Sequence, residues 1–253
     1  MNDYLNSSFI CERNIKIHEI PAIIFRPKEV KAPIPTIVFY HGWSSSKELQ
    51  RLRGFILASV GYQVVIPDAA YHGERNPLQQ YGQDAAMKYF WDIIFSNMEE
   101  FKTIKDDMEL NYEADPKRIA VMGNSMGGFT SAGIFAQSED LKALIVLNGC
   151  CGWESFNSNI DVPTTEKVET IRRRVKHMDP MNNLDVLKDR PILLLHGDSD
   201  IVVPVGSQRI FYKKIKTLYE DKNKIKLIEY PRLNHFVTTN MMEESINWLG
   251  KYL

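Results

Sequence analysis

The sequence predicts an α/β fold: a mostly parallel central sheet of about eight strands, with helices on both faces. Three observations predict it. Short apolar runs recur along the chain at 36–40, 63–66, 119–122, 143–147, 192–195 and 225–230. Most are apolar at every position, as strands buried on both faces require. Helical patterns separate them, and strand–helix alternation is the signature of a parallel sheet covered on both sides.

The first segment, 14–27, mixes alternating stretches with turn points and reads as one or two antiparallel edge strands. The helical patterns follow at 46–60, with a Ser46 cap and a stop at Gly61, and at 83–110. Another spans 205–220, with Ile210, Phe211, Ile215 and Leu218 assigned to one face, and the last spans 239–252. Between 151 and 188 the alternation loosens. This segment holds Trp153, Phe156, a helical stretch around 164–177 and the turn Asp179-Pro180, and reads as a small cap insertion over the strand ends. The whole of 1–253 reads as one domain that carries this insertion.

The chain of 253 residues is 44% hydrophobic and 25% charged, ordinary for a globular protein. Its 31 basic and 32 acidic residues leave a net charge of −1, which offers no nucleic-acid surface. No apolar run approaches the roughly 18 residues of a membrane span. The first residues lack a basic stretch followed by an apolar core, so a cytoplasmic location is expected. The three cysteines, Cys11 and the adjacent Cys150 and Cys151, are expected as reduced thiols.

The chemistry centres on Gly123-Asn124-Ser125-Met126-Gly127. An apolar strand precedes this G-x-S-x-G run and a small-residue helix follows it, the context of a nucleophile elbow. Ser125 is the candidate nucleophile. A serine hydroxyl needs a base, and the base needs an acid that fixes its tautomer. Three histidines follow Ser125, namely His177, His196 and His235. His235 is preferred because it lies between the last strand and the last helix. For the acid, Asp198 and Asp200 both follow an apolar strand, and Glu154 follows the strand before it; spacing alone does not choose. The oxyanion donors are expected to be the N–H of Met126 and, from the loop Tyr40-His41-Gly42-Trp43, the N–H of Trp43. His41 is placed beside the pocket, bracing that turn. Tyr71, Trp153, Phe156 and Phe236 join Trp43 as an aromatic rim around an apolar acyl pocket.

Together these segments resemble the α/β-hydrolase family over nearly the whole chain, from His41 to His235. The sequence is most similar to small bacterial esterases related to dienelactone hydrolases and to the catalytic domain of prolyl-oligopeptidase-like enzymes. The resemblance rests on His41-Gly42-Trp43 with Lys47-Glu48, on 67–75, on 123–128 and on 196–204. It implies an α/β-hydrolase fold, and it assigns the acid to the Asp four residues before Pro204, which is Asp200. The stretch 72–75 resembles a loop near the site; its plainer role is bracing the sheet edge through Asp68 and Arg75. Dienelactone hydrolases carry Cys where this chain has Ser125, so their particular activity is not implied. Forty residues precede His41, too few for the propeller of the oligopeptidases, which favours esters over peptides. The expected activity is hydrolysis of short-chain carboxylic esters of small molecules, without metal or organic cofactor. A peptidase or amidase on the same machinery is the first alternative, and a non-catalytic binding protein the second.

Overall fold

The computed structural model describes residues 7–158 and 165–253. Eight strands form one sheet: β1 (Ile10–Ile17), β2 (Ile20–Pro27), β3 (Ile34–Tyr40), β4 (Gln63–Pro67), β5 (Ala114–Asn124), β6 (Ala143–Leu147), β7 (Ile192–Gly197) and β8 (Ile225–Tyr230). Their spatial order is β1-β2-β4-β3-β5-β6-β7-β8. The edge hairpin β1–β2 is antiparallel and β2 pairs antiparallel with β4. Every other pairing is parallel. The segment read as one or two edge strands is therefore a two-strand hairpin that starts earlier, at Ile10.

Eight α-helices lie among the described residues: α1 (Arg51–Ser59), α2 (Gln83–Asn111), α3 (Met126–Gln137), α4 (Trp153–Asn157), α5 (Glu166–Met178), α6 (Leu184–Leu187), α7 (Gly206–Lys216) and α8 (Thr239–Tyr252). Alternate strand residues feed opposite faces, the consequence of a two-residue side-chain period. Val38, Val65, Val121, Leu144 and Leu194 pack in one core with Phe135 of α3 and with Phe211 and Ile215 of α7. Ile37, Val64, Ala120, Ile145 and Leu193 pack in the other with Leu57 of α1 and with Met241, Trp248 and Leu249 of α8.

Two local expectations need correction. Ser46 caps no helix: the Lys47 N–H donates instead to Asp68 Oδ1 at 2.8 Å, and a 3₁₀ turn at Glu48–Gln50 leads into α1. In α7 the buried stripe is Ser207, Gln208, Phe211 and Ile215. Ile210 is 55% exposed and Leu218 also faces outward, because the helix packs a polar pair where two apolar residues were expected.

The segment 151–188 holds α4, α5, a 3₁₀ turn at Pro180–Asn182 and α6. Residues 159–164, including Thr164 at the start of the expected helix, lie outside the described residues. Thr165 caps α5 by accepting from the Val168 N–H at 3.2 Å. Arg174 of α5 pairs with Glu99 and stacks over Phe95, which holds α5 on α2.

Candidate active site

The site gathers at the carboxyl ends of the central strands, where loops of a parallel sheet converge. β5 ends at Asn124 and α3 begins at Met126, so Ser125 turns the chain alone. Its φ is 55° and ψ −122°. A non-glycine residue in this region costs on the order of 1–3 kcal/mol and persists only where its surroundings hold it. Those surroundings are backbone: the Ser125 N–H donates to Leu147 O at 2.9 Å, and Ser125 O accepts from the Gly128 N–H at 2.8 Å. A Cβ at Gly123 would fall 2.0 Å from Gly127 O, and one at Gly127 would fall 2.0 Å from Tyr40 O. Only glycine permits the crossing of strand and helix on which the elbow depends.

Ser125, His235 and Asp200 meet, although 110 residues separate the first two. Ser125 Oγ lies 2.9 Å from His235 Nε2, and His235 Nδ1 lies 2.7 Å from Asp200 Oδ2. The carboxylate can only accept, so Nδ1 carries the hydrogen and Nε2 is free to accept from the serine hydroxyl. Asp200 Oδ1 accepts from the N–H groups of Val202 and Val203, both at 2.9 Å. Burial alone would raise the Asp200 carboxyl. Hydrogen bonds from His196, His235 and the Val203 amide outweigh it and hold the group well below the usual carboxylate range.

The other candidates find different partners. Asp198 Oδ1 accepts from the Arg232 N–H at 2.7 Å, tying the loop after β7 to the loop after β8. Glu154 accepts from Asn182 Nδ2 at 3.0 Å. His177 lies on α5. His196 is the penultimate residue of β7, its imidazole against Asp200 at 3.3 Å.

The loop after β3 runs beside the serine. A Cβ at Gly42 would sit 3.2 Å from Ser125 Cβ, which brings the Gly42–Trp43 peptide alongside the nucleophile. Met126 is the first residue of α3, so its N–H has no partner four residues earlier within the helix. The loop is braced from below. His41 Nε2 accepts from the Ala69 N–H at 3.0 Å, and His41 Nδ1 donates to Gly42 O at 2.8 Å. Burial pushes the His41 imidazole down to about 4, so it accepts as a neutral ring. His72 Nε2 accepts from the Ser44 N–H at 3.3 Å. Lys47, 1% exposed, sets its ammonium 2.5 Å from Glu74 and 3.2 Å from Asp68. Arg75 donates to Asp68 O at 3.1 Å and to both oxygens of Glu100. Asp68 and Arg75 were expected to brace the sheet edge; here Asp68 ties Lys47 to the end of β4, and Arg75 ties that stretch to Glu100 of α2.

The aromatic residues divide. Phe236 is 67% exposed, directly after His235, and Tyr71 is 40% exposed. Trp43 is half-buried, its indole N–H donating to Tyr81 O at 2.8 Å. Phe156 is half-buried against Phe129, ring centroids 4.9 Å apart. Trp153 and His41 are corrections to the expected pocket lining. Trp153 is fully buried among Phe129, Phe95 and Cys150, its indole N–H spent on Cys150 O. His41 is buried beneath its own loop.

Two residues that pattern alone did not single out hold the site together. Asn148, just past β6 at a φ of 46°, donates through Nδ2 to Phe236 O at 2.9 Å and accepts through Oδ1 from the Gly197 N–H at 3.1 Å. Asn234 Oδ1 accepts from the N–H groups of Ile201 and His235. The adjacent Asn148-Gly149 at a strand end was the available signal.

The eight-strand sheet and the serine elbow at its carboxyl edge define an α/β-hydrolase of the serine class. The Prolyl oligopeptidase family profile matches residues 51–253, most of the chain, and the chain belongs to that family. YitV of Bacillus subtilis (strain 168) is 32% identical over 232 residues, covering 87% of this chain and 90% of its own. Esterase YjfP of Escherichia coli (strain K12) is 28% identical over 249 residues, with 94% and 97% covered. The acylamino-acid-releasing enzyme of Rattus norvegicus is 23% identical over 93% of this chain, which spans 34% of that longer protein. Among solved structures, TT1662 from Thermus thermophilus superposes with a TM-score of 0.77 over 96% of this chain and 97% of its own, at 18% identity, a likeness of fold. The chain is a serine hydrolase.

Proposed function

We propose that the enzyme hydrolyses short-chain carboxylic esters of small molecules through an acyl-enzyme carried on Ser125. The observation that carries this reading is the continuous chain from Ser125 Oγ to His235 at 2.9 Å and from His235 to Asp200 at 2.7 Å. Ser125 Oγ attacks the ester carbonyl carbon while its proton passes to His235 Nε2. The carbonyl oxygen becomes an oxyanion facing the N–H groups of Trp43 and Met126. Collapse breaks the C–O bond to the alcohol, which leaves with the proton from His235. Water then gives a proton to His235 and attacks the acyl carbon; the acid departs and Ser125 regains its hydrogen. Asp200 stabilises the imidazolium formed at each step and stays ionised throughout.

The half-buried rings of Trp43 and Phe156 support a compact acyl subsite, and the exposed Phe236 supports an apolar contact on the side where the alcohol leaves. The described helices of segment 151–188, α4, α5 and α6, act as a small cap bordering this site. The free thiols of Cys11, Cys150 and Cys151 support a reducing, cytoplasmic setting. No helix of the described residues is long and apolar enough to cross a membrane. A peptidase or amidase is the second reading, favoured by the family match and by the acylamino-acid-releasing relative.

Turnover of p-nitrophenyl acetate tests the proposal. Ser125→Ala is expected to lose about 10⁴- to 10⁶-fold in kcat. Unchanged turnover in that variant overturns the mechanism. Turnover of aminoacyl amides at rates matching the esters would select the second reading.

A further inference from the structure

The acid of this site carries a second imidazole. Asp200 Oδ2 receives His235 Nδ1 at 2.7 Å, and His196 Nε2 stands 3.3 Å from the same oxygen. His196 is the penultimate residue of β7, four positions before Asp200, and is 1% exposed. Its Nε2 also lies 2.7 Å from Val203 O. A carbonyl oxygen only accepts, so Nε2 carries the hydrogen and shares it between Val203 O and Asp200 Oδ2. The opposite nitrogen, Nδ1, is buried without a hydrogen-bond partner. Burying a bare acceptor costs stability that an apolar side chain of similar volume would not incur. The ring is therefore held by its Nε2 edge alone, and that edge faces the acid.

We propose that His196 is a positioning residue for Asp200, and that it sets how strongly the acid holds a proton on His235. The proposal rests on the reading of Ser125, His235 and Asp200 as the catalytic groups. The bond to Val203 O pins the loop that supplies both amides to Oδ1, so Oδ2 stays aimed at His235. The shared hydrogen also draws charge on Oδ2 away from His235. An acid that serves two donors stabilises the His235 imidazolium less than one serving a single donor. Other charges face this group. Glu229 of β8 is paired in register with His196, and Arg209 of α7 binds Glu229 at 2.9 Å. Asp198 lies in the loop between β7 and Asp200, its carboxylate held by the Arg232 N–H. None of the three hydrogen-bonds to Asp200 or His235, and all are retained in the variants below.

The test is the pH dependence of kcat/KM for p-nitrophenyl acetate with the full chain. His196→Leu removes the donor. The acid limb, which reports neutral His235, is expected to move upward by about 0.3–1 pH unit. In the same variant kcat falls about 3- to 30-fold, with KM within about twofold. His196→Gln sets an amide nitrogen near the Nε2 position and restores both. An unmoved acid limb in a His196→Leu protein with wild-type circular dichroism and thermal unfolding overturns the proposal. Should His196→Leu not fold, His196→Gln is compared with His196→Asn, whose amide reaches the Nδ1 position. The limb is then expected to move in the Asn variant alone, and identical profiles overturn the proposal. Ser125→Ala is assayed beside them. Retained turnover there overturns the catalytic reading itself, whereas lost turnover with an unmoved His196 limb overturns this inference only.

Discussion

At the residue scale, the site depends on groups held in forms that water would not favour. Ser125 occupies a backbone conformation that only the surrounding amides and the absent side chains of Gly123 and Gly127 permit. His41 is held neutral by burial, with its folded pKa at about 4 against an ordinary value near 6.5. The unfolded chain therefore binds more protons than the folded one between those two values. Stability conferred by neutral His41 is complete above about pH 6.5 and is lost as the pH falls toward 4. Asp200 acts in a lower window, since its depressed carboxyl yields stability that is lost only below the ordinary aspartate range. Thermal unfolding measured from pH 7 to pH 4 is expected to show Tm falling across that window, as the unfolding free energy drops by on the order of 1–3 kcal/mol at its full extent. The slope should flatten in His41→Asn. A wild-type slope in that variant would show that the buried ring does not carry the dependence. That Ser125 meets His235 was legible from residue type and chain order. The choice between Asp198 and Asp200 was not legible from spacing, because both follow β7 by a few residues. It depends on which carboxylate the loop turns inward, and three-dimensional contact with His235 and the Val202–Val203 amides decides that.

At the element scale, strands were more legible than helices. Parallel strands leave continuous apolar runs, and all six were visible: β6 and β8 have the expected bounds, and the other four extend by one to five residues at an end. The assigned face of α7 was partly wrong for a physical reason. Ile210 and Leu218 look like core residues by type, but Gln208 is the residue that turns inward, its side-chain carbonyl accepting from the Cys151 N–H at 2.8 Å. A buried polar contact of that kind has no hydropathy signature. The two positions should behave oppositely. Phe211→Ala is expected to cost about 3–5 kcal/mol by urea unfolding, and Ile210→Ala less than about 0.5 kcal/mol. Comparable losses at both would show that α7 packs through the face the sequence suggested. The pocket lining was read least well. Trp153 belongs to the core beneath the site, and aromatic type alone does not separate a rim residue from one packed below it.

At the scale of the whole molecule, the antiparallel hairpin β1–β2 extends the sheet at one edge, while β3, β5, β6, β7 and β8 each send a loop to the same end. Those five loops carry Gly42, Ser125, Asn148, Asp200 and His235. Cross-links join them: Asn148 reaches the last residue of β7 and the loop after β8, Asp198 joins the loops after β7 and β8, and Asp68 with Lys47 fixes the loop after β3. The site is thus a property of the sheet's topology, assembled from segments far apart in sequence. The most direct measurement is stoichiometric labelling with a serine-directed phosphonate, followed by peptide mass mapping. One phosphonyl group on Ser125, with esterase activity falling in proportion to its incorporation and labelling slowed strongly in His235→Ala, is the predicted result. Full loss of activity with the adduct on another residue, or full labelling of Ser125 with activity intact, would contradict it.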